Sequence, residues 1–228
     1  MKRILLLAFP LYMFWYGQCL AVIRGEYIVV VPHLPPPEHS LDRVHIDEIF
    51  SFTCLHCYRF HQKIGTIRQA FGSKIEITSK PIGWSGQNPG RLFYIGEKMG
   101  KGDRIKDRIF KLVFEKDLAL IINQKMILKS VARLEGISRE FEDLIDDPMI
   151  VRQMRDGKDL AKTAGITKTP SLLIENVIVT STDIENLFLI INSLLKEPVK
   201  KTLHKLQKTK SCHRPTDNID DNCGSKTN

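Results

Sequence analysis

Apolar residues recur along this chain in one unbroken N-terminal run, then at strand spacing, then at helix spacing, and at strand spacing again near the end. Tyr27–Val31 (YIVVV) predicts a short edge strand that stops at Pro32, because proline has no amide proton to give a ladder. Val44–Phe52 (VHIDEIFSF) is β-branched and aromatic and predicts a buried strand with His45, Asp47 and Glu48 as its polar interruptions. Cys54-Leu55-His56-Cys57 follows at once, and Ile64, Ile67, Ala70 and Phe71 then fall on one helical face. The two cysteines therefore open a helix that leaves a strand. Lys74–Ile82 alternates and predicts another strand.

The middle of the chain is helical in period. Asn88-Pro89-Gly90 starts a helix to about Met99, ended by Gly100 and Gly102, and 103–116 carries Ile105, Ile109, Phe110, Val113 and Phe114 on one face. Asn123 is the expected N-cap of a helix to Glu135, Ser138 stands near the start of a further turn, and Asp147-Pro148 opens a helix to about Ala164. Ser171–Val179 predicts a hairpin around Glu175-Asn176, and Asp183–Lys196 an amphipathic helix. Two strands, a helix, a strand, a block of helices, then two strands and a helix predict an α/β layer fold interrupted by a helical insertion. The expected division is 22–82, an insertion over 83–165, and 166–196 completing the first unit. From 197 to 228 the lysines Lys200, Lys201, Lys205, Lys208 and Lys210 and the scarcity of large apolar residues predict a disordered, solvated basic tail.

The ends change the picture most. Lys2 and Arg3 precede an apolar run to about Tyr16, and Cys19-Leu20-Ala21 sets small residues at an exit. This is the layout of a secretory signal peptide, with cleavage expected after Ala21. An uncleaved anchor helix is weakened by Gly17 and Gln18, and a lipid anchor on Cys19 by the bulk of Gln18. Removing residues 1–21 lowers the net charge from +8 to +6 and the cysteines from five to four. The expected location is then periplasmic or secreted, where disulfides are tolerated. Nucleic acid is not expected as a partner, because a secreted chain rarely meets it and much of the excess charge lies in the tail.

The pair Cys54 and Cys57 carries the strongest chemical signal. Residues three apart on the first turn of a helix share a face and come within reach of a disulfide. Free N–H groups and the dipole at a helix N-terminus stabilise a thiolate there, and a stabilised thiolate makes the disulfide a better oxidant. His56 between the cysteines can add a donor or a positive charge. A zinc knuckle would need a second cysteine pair or matching histidines, whereas Cys212 and Cys223 lie in the polar tail. A c-type haem site would need histidine where Tyr58 stands. An inert disulfide across so short a gap is strained. A redox pair is the reading these exclusions leave, with no metal or organic cofactor. Thr169-Pro170 precedes the strand SLLI, where proline suits a special turn, a cis peptide or an ordinary loop. Glu48, six residues before Cys54, is a candidate buried acid that exchanges a proton with Cys57. Asp47 is the alternative, because side chains alternate along a strand.

Taken together, Glu48–Phe60 (EIFSFTCLHCYRF) and Gly165–Pro170 (GITKTP) resemble the DsbA family of secreted thiol:disulfide oxidoreductases over about residues 25–196. The resemblance implies a thioredoxin-like fold with an inserted helical domain. It implies Cys54 as the exposed attacking thiolate, Cys57 as its buried partner and His56 as the stabiliser of that thiolate. Glu48 would be the buried acid, and Thr169 and Pro170 the substrate-binding cis-proline loop. It also implies unfolded exported proteins as substrates and a membrane quinone reductase of the DsbB type as reoxidant. The family's usual Pro-His between the cysteines is Leu55-His56 here. Threonine before the cis-proline is shared with isomerases, so a reductase or isomerase on this scaffold stays open, for example in cytochrome c maturation. A redox-inactive binding protein is the further alternative. Residues 22–43 are too short for a separate dimerisation domain, so a monomer is expected.

Overall fold

A computed structural model describes residues 23–30, 34, 35, 37, 43–83 and 86–196. The expected signal peptide, the basic tail, Cys19, Cys212 and Cys223 lie outside the described residues.

Five strands form one sheet in the order β1-β5-β4-β2-β3. β1 (Ile28–Val29) is the edge strand, paired antiparallel with β5 (Ile178–Thr180). β2 (Val44–Phe50) lies parallel to β3 (Ile75–Pro81) and antiparallel to β4 (Ser171–Ile174). Helix α1 (Leu55–Phe71) connects β2 to β3, the crossover that a parallel pair requires. β4 and β5 form the predicted hairpin, with Glu175 and Asn176 both at positive φ in the three-residue turn between the strands.

β2 is buried on both faces, which explains its near-continuous apolar character. Val44 and Ile46 pack with Phe60, Ile64 and Ile67 of α1 and with Leu187 and Ile191 of α7 (Ile184–Leu194). On the other face, Ile49 joins Leu173, Ala161 and Ile166. Alternation puts the two acids, both buried, on opposite faces. Glu48 shares the α1 face with Ile46 and Phe50, and Asp47 shares the opposite face with His45 and Ile49.

The insertion is built from α2 (Asn88–Lys98), α3 (Gly102–Phe114), α4 (Lys125–Leu134), α5 (Ser138–Leu144) and α6 (Pro148–Thr163). Its core includes Leu92, Phe93, Ile105, Ile109, Phe110 and Leu128, and it is continuous with Phe50, Phe52 and Cys57. Phe52 bridges the two parts, with ring centroids 5.0 Å from Phe50 and 5.2 Å from Phe110. Asp147 caps α6 as expected, accepting from the amides of Met149 and Ile150.

Several boundaries differ from the sequence reading. β2 ends at Phe50, because Ser51 and Phe52 turn the chain towards α1. Gly102 opens α3 rather than closing α2, and Gly100 alone supplies the left-handed turn at φ +67°. Asn123 does not cap α4, whose N-cap is Gln124. Its side-chain oxygen instead accepts from the Asn88 amide, and its backbone carbonyl accepts from the Asn88 side chain. Asn123 thereby ties the loop before α4 to the start of α2.

Candidate active site

Cys54 sits one residue before α1 as its N-cap, with an extended backbone at φ −97° and ψ 114°. A cap side chain ordinarily satisfies one of the free N–H groups of the first turn. Here sulfur takes that part: Cys54 Sγ accepts from the Cys57 amide at 3.4 Å. The same sulfur donates to the Thr169 carbonyl at 3.3 Å. Cys54 is half-buried.

Cys57 lies one turn on and is fully buried. The Ser51 amide donates to its sulfur at 3.5 Å. Burial, and next the neighbouring Cys54 sulfur, push the Cys57 thiol far above the ordinary cysteine range. Both cysteines are free thiols in this structure. The two therefore differ as the chemistry needs, one reachable and one sequestered. The Thr169–Pro170 peptide bond is cis. The Thr169 carbonyl meets Cys54 from a loop 115 residues away in sequence. The fold thus brings Cys54, Cys57, Thr169 and Pro170 together.

Glu48 and His56 have different surroundings. His56 is exposed on the first turn of α1 and forms no hydrogen bond to Cys54 among the described residues. Glu48 is fully buried, but it is not a solitary acid. The parallel register sets Ser79 beside it, and Ser79 Oγ donates to Glu48 Oε2 at 2.9 Å. Lys106 Nζ, itself buried, donates to the same oxygen at 2.6 Å and to Ser79 Oγ at 2.9 Å. Its ammonium also lies 4.2 Å from the centre of the Phe50 ring, a cation–π contact. Glu48 Oε1 has no hydrogen-bond partner among the described residues.

Lys106, Ser79 and Ser51 are the residues the sequence reading missed. For Lys106 a signal existed: it stands three and four residues before Ile109 and Phe110, on the apolar stripe of α3. Tyr58, next to Cys57, strengthens the same junction. Its hydroxyl donates to Glu115 Oε1 at 2.6 Å and its ring stacks on Phe114 at 5.2 Å. The carboxylate at its hydroxyl pushes the phenol above its ordinary range. On the far face of the sheet Asp47 Oδ2 lies 3.2 Å from His45 Nε2. Among the described residues no group of three or more His, Cys, Asp or Glu side chains could hold a metal ion.

An apolar cavity of about 300 Å³ adjoins Ser51–Thr53, lined in part by Phe52, Ile82, Ile122 and Met154. Leu120 stands at its rim, 98% exposed. No described helix is long and apolar enough to cross a membrane.

Comparison with known proteins agrees with this geometry. A family model described as thioredoxin matches residues 42–193, two thirds of the chain. No curated protein matches in sequence. Among solved structures, DsbA from Pseudomonas aeruginosa is similar at TM-score 0.60 and 18% identity, covering 82% of this chain and 94% of that one. The oxidoreductase DsbA from Xylella fastidiosa is similar at TM-score 0.60 and 17% identity, covering 80% and 95%. Reduced DsbA1 from Neisseria meningitidis is similar at TM-score 0.61 and 15% identity, covering 82% and 98%. The chain belongs to the thioredoxin family, as a thiol:disulfide oxidoreductase with a DsbA-like fold.

Proposed function

We propose that this protein is a dithiol oxidase that introduces disulfides into exported polypeptides in the periplasm. The observation that carries the reading is the asymmetry of the pair. Cys54 is a reachable sulfur at a helix N-terminus, touched by the cis-proline loop, and Cys57 is a buried thiol held in its protonated form.

The reaction follows from thiol chemistry. A substrate thiolate attacks Cys54 Sγ in the oxidised pair, the Cys54–Cys57 bond breaks, and Cys57 leaves as a thiolate that takes up a proton. A second substrate thiolate then attacks the substrate sulfur of the mixed disulfide and expels Cys54. The substrate gives up two electrons and leaves with a new disulfide, and the enzyme pair ends reduced. A membrane quinone reductase of the DsbB type reoxidises it, with quinone as the electron acceptor. Glu48 serves as the buried proton exchanger for Cys57. Its unpaired Oε1 and the hold of Lys106 and Ser79 on Oε2 support this role. His56 stabilises the Cys54 thiolate from the exposed side. Thr169 and Pro170 align the substrate backbone, and the apolar cavity beside Ser51–Thr53 suits an apolar substrate side chain.

The substrates are unfolded chains with free thiols, and the enzyme acts as a monomer delivered by its N-terminal signal. The direct test is oxidation of a reduced, unfolded two-cysteine protein. Wild type is expected to accelerate disulfide formation, Cys54→Ser to abolish it, and Cys57→Ser to accumulate the mixed disulfide through Cys54. No acceleration by wild type would remove the redox reading in favour of a binding protein.

A further inference from the structure

A second groove lies on the α6 side of the cis-proline loop. It runs between the C-terminal half of α6, the following turn and the end of β3, with a volume of about 340 Å³. Its floor is apolar, made by Ile82, Ala161 and Ile166, all buried. Its rim is basic. Lys158 and Lys162 stand one helical turn apart, both exposed. Among the described residues neither forms an ion pair, nor does Lys168 just beyond the groove. One turn earlier on α6 the pattern differs, since Arg152 is paired with Asp156 at 3.8 Å.

Two like charges on adjacent turns repel, and of the two lysines only Lys162, in the last turn of α6, complements the helix dipole. Their aliphatic stems extend the apolar walls while the ammonium groups stay in water. A ligand that fits must present an apolar side chain to the floor and a carboxylate to the rim. The position narrows the choice further. Thr167 lines the groove, and two residues on, Thr169 receives the Cys54 thiol at its carbonyl. The groove therefore adjoins the loop whose Thr169 carbonyl meets Cys54, within reach of a polypeptide held there.

We propose that this groove binds acidic, partly apolar stretches of the thiol-bearing polypeptide, which makes Lys158 and Lys162 specificity-determining residues. The identity of the bound polypeptide rests on the oxidoreductase reading. Opposite charge at an exposed rim speeds encounter and fixes register, so the preference weakens as salt screens it.

The test separates binding from chemistry. A ten-residue peptide has serine in place of its cysteine and a leucine flanked by two glutamates. Matched peptides have glutamine or lysine at the flanking positions. Binding to the full chain is measured by calorimetry at low and physiological salt. Wild type is expected to bind the glutamate peptide about tenfold more tightly than the glutamine peptide. The expected result for Lys158→Gln/Lys162→Gln is loss of that preference with unchanged affinity for the glutamine peptide, and for Lys158→Glu/Lys162→Glu a preference for the lysine peptide. Equal binding of all peptides by wild type, or a preference that survives removal of both charges, would overturn the proposal. The serine peptides need no redox chemistry. A failure of the oxidase assay therefore leaves this result standing, and a failure here leaves the oxidase assay untouched.

Discussion

Cys57 shows how one residue's surroundings become chemistry. The same turn that leaves Cys54 half-buried buries Cys57 fully against Phe52 and the insertion core, and burial penalises its thiolate. The consequence for stability has a definite sign. The folded reduced protein keeps a proton on Cys57 that the unfolded chain releases near its ordinary value of 9.0. Stability from this group is therefore full below that value and is lost progressively as pH rises above it towards the much higher folded value. Urea midpoints of the reduced protein at pH 8 and pH 10 check this. Wild type is expected to lose more stability over that interval than Cys57→Ser, and equal losses would show that burial does not hold the proton. His61 behaves in the opposite sense on the neighbouring turn: burial and the Lys106 charge lower it, so it favours the neutral ring between α1 and α3.

At the scale of elements, capping and register place the site. Asp147 fixes the start of α6 with two accepted amide bonds, and α6 leads directly into the cis-proline loop. Asp147→Ala is expected to cost about 1 kcal/mol, the ordinary worth of an N-cap, read as a lower urea midpoint with the Cys54 chemistry intact. A cost below about 0.3 kcal/mol would show that tertiary packing alone fixes this end. Most elements were legible in the sequence, because strand and helix periods are distinct where one face is buried: VHIDEIF and the stripe of α3 are examples. Asn123 shows where that reading fails. An asparagine before a helix looks like a cap, but its side chain was recruited by Asn88 across a loop, a contact that has no signature in local sequence. The cysteine pair was legible from its spacing, whereas Thr169-Pro170 was singled out only by the family resemblance. The meeting of Cys54 with the Thr169 carbonyl was not legible, since it depends on how six helices fold between them.

At the scale of the molecule, the insertion is bound to the sheet through a buried charge pair. Lys106 comes from α3, Glu48 and Ser79 from the sheet, and all three lie out of water. Such a pair is costly to break singly, because the partner is left charged and unpaired. Lys106→Met is expected to destabilise by about 3–5 kcal/mol, and Glu48→Gln/Lys106→Met by clearly less. Thermal or urea unfolding of both variants measures this. Equal losses would mean that removing Lys106 strands no costly buried charge on Glu48. The sequence hid this pair because a lysine on a helix reads as solvent-facing unless its neighbours three and four residues on are weighed. The central claim, that the whole assembly poises Cys54 and Cys57 as an oxidant, is tested most directly by equilibrating the protein with glutathione buffers. The redox state of the Cys54–Cys57 pair is then read by mass spectrometry of its peptide. A potential well above about −180 mV, on the oxidising side of protein disulfide isomerase, is the predicted result. A potential near about −270 mV, that of thioredoxin, would contradict it and make the protein a reductase.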